Sequence, residues 1–339
     1  KDSGGYGTFE EADPANVYYE APEDEEPDTY CCAAWRTPPS EKWSPTWNFT
    51  SFKASEWFHL YLWMMKDLAW SQNWYFIGMI FGASAVAWSL YLLYQTIKLK
   101  NHVEAWHYLG QFLWLASLFW WMWGELHDAQ YPEEEDIYDN HKLQGGIVIL
   151  IAFSWMSIFY FVVKPFNLLP PLSEDALNPF EENGMKPPFF LRSFILSWRQ
   201  YENLHILFWL GKDTAWMHDW VIMWWIFSAL TTLLAADFVV TTSFRRGMAV
   251  NHAHYIAQAL WVLANLIWAF SELYFGENEV PQPLIPIQHP VVALSSLRWW
   301  TSWILVLGLV TALVLNIVWV LVAPAISQSQ ASSERPHRR

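Results

Sequence analysis

Two short motifs carry the residue types most able to do chemistry. Glu56-x-x-His59 and Glu202-x-x-His205 each place a carboxylate and an imidazole one helical turn apart, on a shared face. With His107 added to the first and His254 to the second, each set offers three candidate metal ligands. The i, i+3 spacing is one that di-iron helix bundles use. The motif is short and common by chance, so a second chemistry competes with it. Paired histidines, His59 with His107 and His205 with His254, could ligate a haem b or another tetrapyrrole axially. Aromatic surroundings would equally suit chlorophyll or carotenoid. The plainest alternative is that each imidazole hydrogen-bonds between helices.

A second kind of cluster is ionic. Lys66-Asp67 and Lys212-Asp213 sit inside apolar, aromatic runs, with Glu125 and Glu272 as acids on the helices expected to face them. Neutralisation within an ion-pair network is the default reading, and a proton or ion relay is the functional one. A relay needs further polar groups, and Gln111, Gln258, Ser117, Asn265 and Asp237 are those on offer. Asp237 aligns with Tyr91 in the first half, so such a path is not symmetric.

These residues need elements to position them, and composition says which. Of 339 residues, 54% are hydrophobic and 15% charged, with 26 Trp, 22 Phe and 15 Tyr, far from a soluble average. Apolar blocks of membrane-spanning length run over Trp74–Ile97, Val103–Gly124, Gly145–Val163, Trp220–Thr242, His254–Leu273 and Trp299–Ala323. An all-α, polytopic membrane bundle follows, with bound lipid as an expected companion.

The chain resembles itself. At a shift of 146, Glu56, His59, Trp63, Lys66, Asp67, Ala69, Trp70 and Trp74 fall on Glu202, His205, Trp209, Lys212, Asp213, Ala215, Trp216 and Trp220. At 147, His107, Tyr108, Gln111, Trp114, Trp121, Glu125 and Leu126 fall on His254, Tyr255, Gln258, Trp261, Trp268, Glu272 and Leu273. Rare residue types recurring in order mark an internal repeat, and steps of three and four place the kept positions on single helical faces. Those faces read as packing seams between two helices of each half.

Basic loops set the topology. Lys98, Lys100, Lys164, Arg245 and Arg246 are expected on one side of the membrane, and the acidic loops 133–142 and 276–290 on the other. An even number of crossings between Lys164 and Arg245 makes both Lys-Asp segments spans, giving eight helices in two parallel repeats of four. The divisions are 1–53, an acidic Pro/Gly-rich extramembrane segment; 54–164, the first repeat; 165–199, a Pro-rich linker; 200–324, the second repeat; and 325–339, a basic tail. Trp70, Trp74, Trp123 and Trp216 are then expected at the membrane interface, where indoles are favoured.

The net charge of −14 is concentrated at the N-terminus, notably in APEDEEPD at 21–28. Such a segment orders only against a partner, and a basic surface on another membrane subunit is the expected one. Adjacent Cys31 and Cys32 do not bridge readily and read as free thiols or lipid attachment sites. The chain begins at Lys1, which implies a removed N-terminal piece and favours an organellar over a plasma membrane. The sequon at Asn48 lies on the basic side and is expected to carry no glycan. Phosphate loops, GxSxG, HExxH and nucleic-acid-binding basic patches are absent from the sequence. The leading expectation is a non-catalytic accessory or structural subunit of a larger membrane assembly. A haem- or pigment-binding protein is the first alternative, and a transporter or channel with an ion path at the repeat interface the second.

Overall fold

The computed structural model describes residues 52–133, 137–169, 198–243, 249–276, 283–285 and 296–314. The acidic segment, Cys31, Cys32, Asn48 and the basic tail lie outside them. Among the described residues the protein is all-helical. The helices are α1 (Phe52–Ser71), α2 (Tyr75–Lys98), α3 (His102–Gln130), α4 (Tyr138–Ile158, prolonged by a π-helical turn over Phe159–Val163), α5 (Trp198–Met217), α6 (Val221–Ser243) and α7 (Ala249–Phe275). A last helix, α8, runs over Leu297–Val314.

Five of these are long and apolar enough to cross a membrane: α2, α4 with its π-turn, α6, α7 from Asn251, and α8. Phe76 and Ile80 on α2, Ile147 and Ile151 on α4, Ile222 and Leu233 on α6, and Leu307 on α8 are exposed. Exposed apolar side chains of this kind are what a hydrocarbon solvent wets. The helices that fail the hydropathy test, α1, α3 and α5, carry the charges and lie inside. On α5, nearly every residue from Trp198 to Met217 is buried, Lys212 and Asp213 included. That helix also begins earlier than expected, since Trp198 and Arg199, assigned to the linker, form its first turn.

Several helix ends share one device. Trp74 N donates to Ala69 O at 2.8 Å and Asn73 N to Trp70 O at 3.0 Å, with Asn73 left-handed at φ 54°. The α5–α6 turn repeats this, with Trp220 N to Ala215 O at 2.8 Å, Asp219 N to Trp216 O at 3.1 Å and Asp219 at φ 55°. Lys100 and Asn167 end their helices in the same way. This is the Schellman closure, with a non-glycine residue in the left-handed position.

The core is built from indoles. Trp63, Trp114, Trp209 and Trp261 form a closed ring, with neighbouring centroids 4.7 Å (63–114), 5.9 Å (114–209), 4.3 Å (209–261) and 5.1 Å (261–63) apart. Seven residues further along each helix, Trp70, Trp121, Trp216 and Trp268 form a second ring, at 5.1 Å (70–121), 5.2 Å (121–216), 5.5 Å (216–268) and 5.0 Å (268–70). Two successive levels of contact fix the directions: α1, α3, α5 and α7 run parallel around a common axis. Edge-on and tilted geometries dominate both rings, as the aromatic quadrupole prefers. Trp70 and Trp216, expected at the membrane interface, instead face this axis with 2% and 3% of their surface exposed. Trp74 is the one of that group with a large exposed face, at 38%.

Candidate functional site

The four inner helices stack polar layers between the indole rings. The first layer lies at the end marked by the N-termini of α1, α3 and α5. Its hub is Arg199, which donates to Glu56 Oε1 at 2.5 Å and to Glu104 at 2.8 and 3.1 Å, with Glu202 at 3.6 Å. Asn203 adds a bond to Glu104 at 2.9 Å. Tyr108 donates its hydroxyl to Glu56 and Tyr255 to Glu202, so positions matched in the sequence make matching bonds. One planar guanidinium thus ties together three helices through three carboxylates.

One turn deeper lie the histidines. His107 Nδ1 faces Val103 O at 2.7 Å, and its Nε2 faces the Tyr160 hydroxyl at 3.1 Å. Tyr160 belongs to the π-turn of α4, a local widening that sets this hydroxyl against α3. His59 Nε2 receives the Trp63 indole N–H at 2.7 Å and lies 3.0 Å from Ala85 O, while its Nδ1 is 3.4 Å from the Gln111 amide. His205 Nδ1 donates to Glu202 O. His254 instead stacks on Trp57 at 4.1 Å and 22°. Near the rim, Lys164 donates to Gln200 at 3.1 Å, and partial burial lowers its amine to about 8.

Between these layers and the first indole ring is a cavity of about 130 Å³. All four inner helices line it, with Glu56, His59, His107, Tyr108, Gln111, Arg199, Glu202, His205, Tyr255 and Gln258 among its walls. Trp63, Trp114, Trp209 and Trp261 also line it, and their ring closes it on the side of the Lys-Asp layer. That next layer holds the Lys66–Asp67 and Lys212–Asp213 pairs, with both ammonium groups fully buried. Each aspartate also accepts an indole from the opposite half: Trp261 to Asp67 at 2.6 Å and Trp114 to Asp213 at 3.0 Å. The ammonium groups sit over Trp70 and Trp216, 5.1 and 5.5 Å from the centroids.

Below the second ring, Trp70 donates to Glu125 at 2.8 Å and Trp216 to Glu272 at 3.0 Å. Arg298 of α8 bonds Glu125 at 2.9 Å, as well as the Trp70 and Ser71 carbonyls at 3.2 and 3.1 Å, closing the end of α1. Glu125 and Glu272 therefore form their own layer and do not pair with the Lys-Asp sites, a correction to the single cluster expected in each half. The ring between them is the physical reason.

The metal arrangement is not assembled either. Among the described residues no group of three or more His, Cys, Asp or Glu is placed to hold a metal ion. Glu56 and Glu202 are engaged by Arg199 and by the hydroxyls of Tyr108 and Tyr255. The ring nitrogens of His59 and His107 make hydrogen bonds within the protein. His254 is not on the cavity wall.

Arg199, Glu104, Asn203 and Arg298 were not among the expected site residues. Arg199 falls at the end of the expected linker and has no counterpart in the first half, where Lys53 stands. Glu104 aligns with Asn251, so a search for repeated positions passes over it. Against protein-family models, curated proteins and solved structures alike, the chain has no match.

Proposed function

We propose that this chain is a solute- or ion-translocating membrane protein, with its binding chamber at the interface of two parallel four-helix repeats. One observation carries the reading: a polar, ionisable cavity lined by residues of all four inner helices, α1, α3, α5 and α7. In this reading all eight helices span. α1, α3 and α5 cross despite their charges because the five apolar helices shield them from lipid, and their polar groups pair inside the protein. Matching bonds at matching positions, Tyr108–Glu56 with Tyr255–Glu202 and Trp114–Asp213 with Trp261–Asp67, support the repeat. Transporters built from repeats place their sites at such an interface.

The indole rings are the gate of this proposal. They seal the chamber on one side in the state described, while the Lys-Asp layer between them supplies paired charges that stay neutral in a dry core. The accessory-subunit alternative rests on the acidic N-terminal segment, which lies outside the described residues, on the aromatic-rich surface and on the absence of catalytic motifs from the sequence.

Proteoliposomes holding the full chain test the proposal. Counterflow of labelled small ammonium, carboxylate and neutral solutes should show one class entering above protein-free vesicles, with entry lost in Arg199→Gln. No flux for any class, with a folded protein in the bilayer, contradicts it.

A further inference from the structure

The two halves of the cavity are not equally satisfied, and the difference says where a ligand sits. In the first half, His59, Trp63 and Gln111 close on one another: the indole N–H reaches the imidazole at 2.7 Å and the amide lies 3.4 Å from its other nitrogen. Their matches in the second half are His205, Trp209 and Gln258, and all three line the cavity. There the set does not close. The His205 and Trp209 rings stand 6.2 Å apart, and no hydrogen bond from the described residues reaches the Trp209 indole N–H, the Gln258 amide or His205 Nε2. Gln258 is 9% exposed and lines the cavity. All three line the pocket, so a ligand entering it can meet donors and acceptors that no described residue engages.

The chemistry of that ligand follows from protonation and charge. His205 Nδ1 faces a carbonyl oxygen, which only accepts, so Nδ1 carries the proton and Nε2 presents a lone pair. Gln258 adds an amide oxygen as a second acceptor. The charged groups on the cavity wall are Glu56 and Glu202 against Arg199, with the acids Glu104 and Asp237 behind it and the base Lys164 near its rim, a net excess of carboxylate. The walls between are indole and phenol faces, which attract cations. An anion would meet the carboxylates, whereas an ammonium group donates to both open acceptors and offsets the charge. A hydroxyl on the same molecule could accept from Trp209.

We infer that the second-half wall, His205, Trp209 and Gln258, is a binding site for a small hydrogen-bonding organic cation, a primary ammonium compound of the size of ethanolammonium. The inference rests on the cavity being a solute site, and the test separates the two. Binding of labelled ethanolammonium, glycerol and glycolate, which are similar in size and differ in charge, is measured on the full chain in nanodiscs. Ethanolammonium should bind in preference to both others. Gln258→Leu should weaken it about tenfold or more, the loss of a hydrogen bond to a charged group. Gln111→Leu should weaken it by a smaller factor, and Gln258→Glu, which keeps an acceptor and adds negative charge, should tighten it. Glycolate or glycerol binding more tightly, in a manner sensitive to Gln258→Leu, overturns the cation and leaves a solute site of another class. Binding of ethanolammonium unaffected by Gln258→Leu, or weakened equally by Gln111→Leu, overturns the second-half assignment. Binding of none of the three overturns the inference, and the counterflow result then decides the solute reading by itself.

Discussion

Trp261 of α7 donates its indole N–H to the Asp67 carboxylate of α1 at 2.6 Å, so an acid in one half is held by a donor from the other. Trp114 and Asp213 make the reciprocal bond at 3.0 Å. Each half thus holds the other's buried charge, which ties the two together at the depth of the Lys-Asp pairs. Removing one indole donor by Trp261→Phe or Trp114→Phe should cost about 1–3 kcal/mol, since the aspartate is left short of a partner. The two variants should shift the melting temperature in nanodiscs by similar amounts, and the double variant by an amount that departs from their sum, since both indoles pack on Trp63 and Trp209.

The ammonium groups of Lys66 and Lys212 are fully buried beside their aspartates. Asp67→Asn leaves the Lys66 cation uncompensated, a loss of about 3–5 kcal/mol. Lys66→Met combined with Asp67→Asn removes both charges, so thermal melting should recover much of the difference. A double variant less stable than the single one would contradict the ion-pair reading.

Arg199 contacts Glu56, Glu104 and Glu202 together. A lysine carries the same charge but only a point-like donor group, and cannot span the three acids. Arg199→Lys should therefore destabilise the protein by an amount closer to Arg199→Gln than to wild type. Melting curves of the three proteins decide it.

Asp219 is held at φ 55°, and its side chain makes only a 4.0 Å approach to Lys142. Glycine relieves about 1–2 kcal/mol of left-handed strain but adds about 0.5–1 kcal/mol of unfolded-chain entropy, so Asp219→Gly should stabilise by at most about 1 kcal/mol, whereas the β-branched Asp219→Val should destabilise. Thermal denaturation reads both.

Lys164 lies outside the spans, and desolvation lowers its amine to about 8. Its acylation by a membrane-impermeant amine reagent, followed by mass spectrometry, should rise with a midpoint near that pH, as the neutral amine is the reactive form.

Much of this organisation is legible in the chain. Steps of seven between Trp63 and Trp70, and between Trp114 and Trp121, with their copies 146 and 147 residues on, announce stacked aromatic levels on parallel helices. The spans over α2, α4, α6 and α8 follow from hydropathy, because those helices face outward. What is not legible is closure. A repeated donor and a repeated acceptor do not reveal whether Trp114 meets Asp67 or Asp213, since both pairings keep the pattern. Arg199 was hidden for a different reason: a guanidinium serving three helices leaves no periodic trace. The open state of His205, Trp209 and Gln258 is invisible too, because their residue types are identical to the closed set in the first half.

The central claim is that an internal chamber is reached from the Lys100 side and sealed from the Asp219 side. It is tested by placing a single cysteine at Gln258→Cys in a Cys31→Ser, Cys32→Ser background, with Lys100→Cys and Asp219→Cys as markers of the two sides. In sealed vesicles of known orientation, a membrane-impermeant thiol reagent should label Cys at 258 from the side that labels Lys100→Cys, and not from the side that labels Asp219→Cys. Labelling from the Asp219 side, or from neither side while both markers react, would contradict the account.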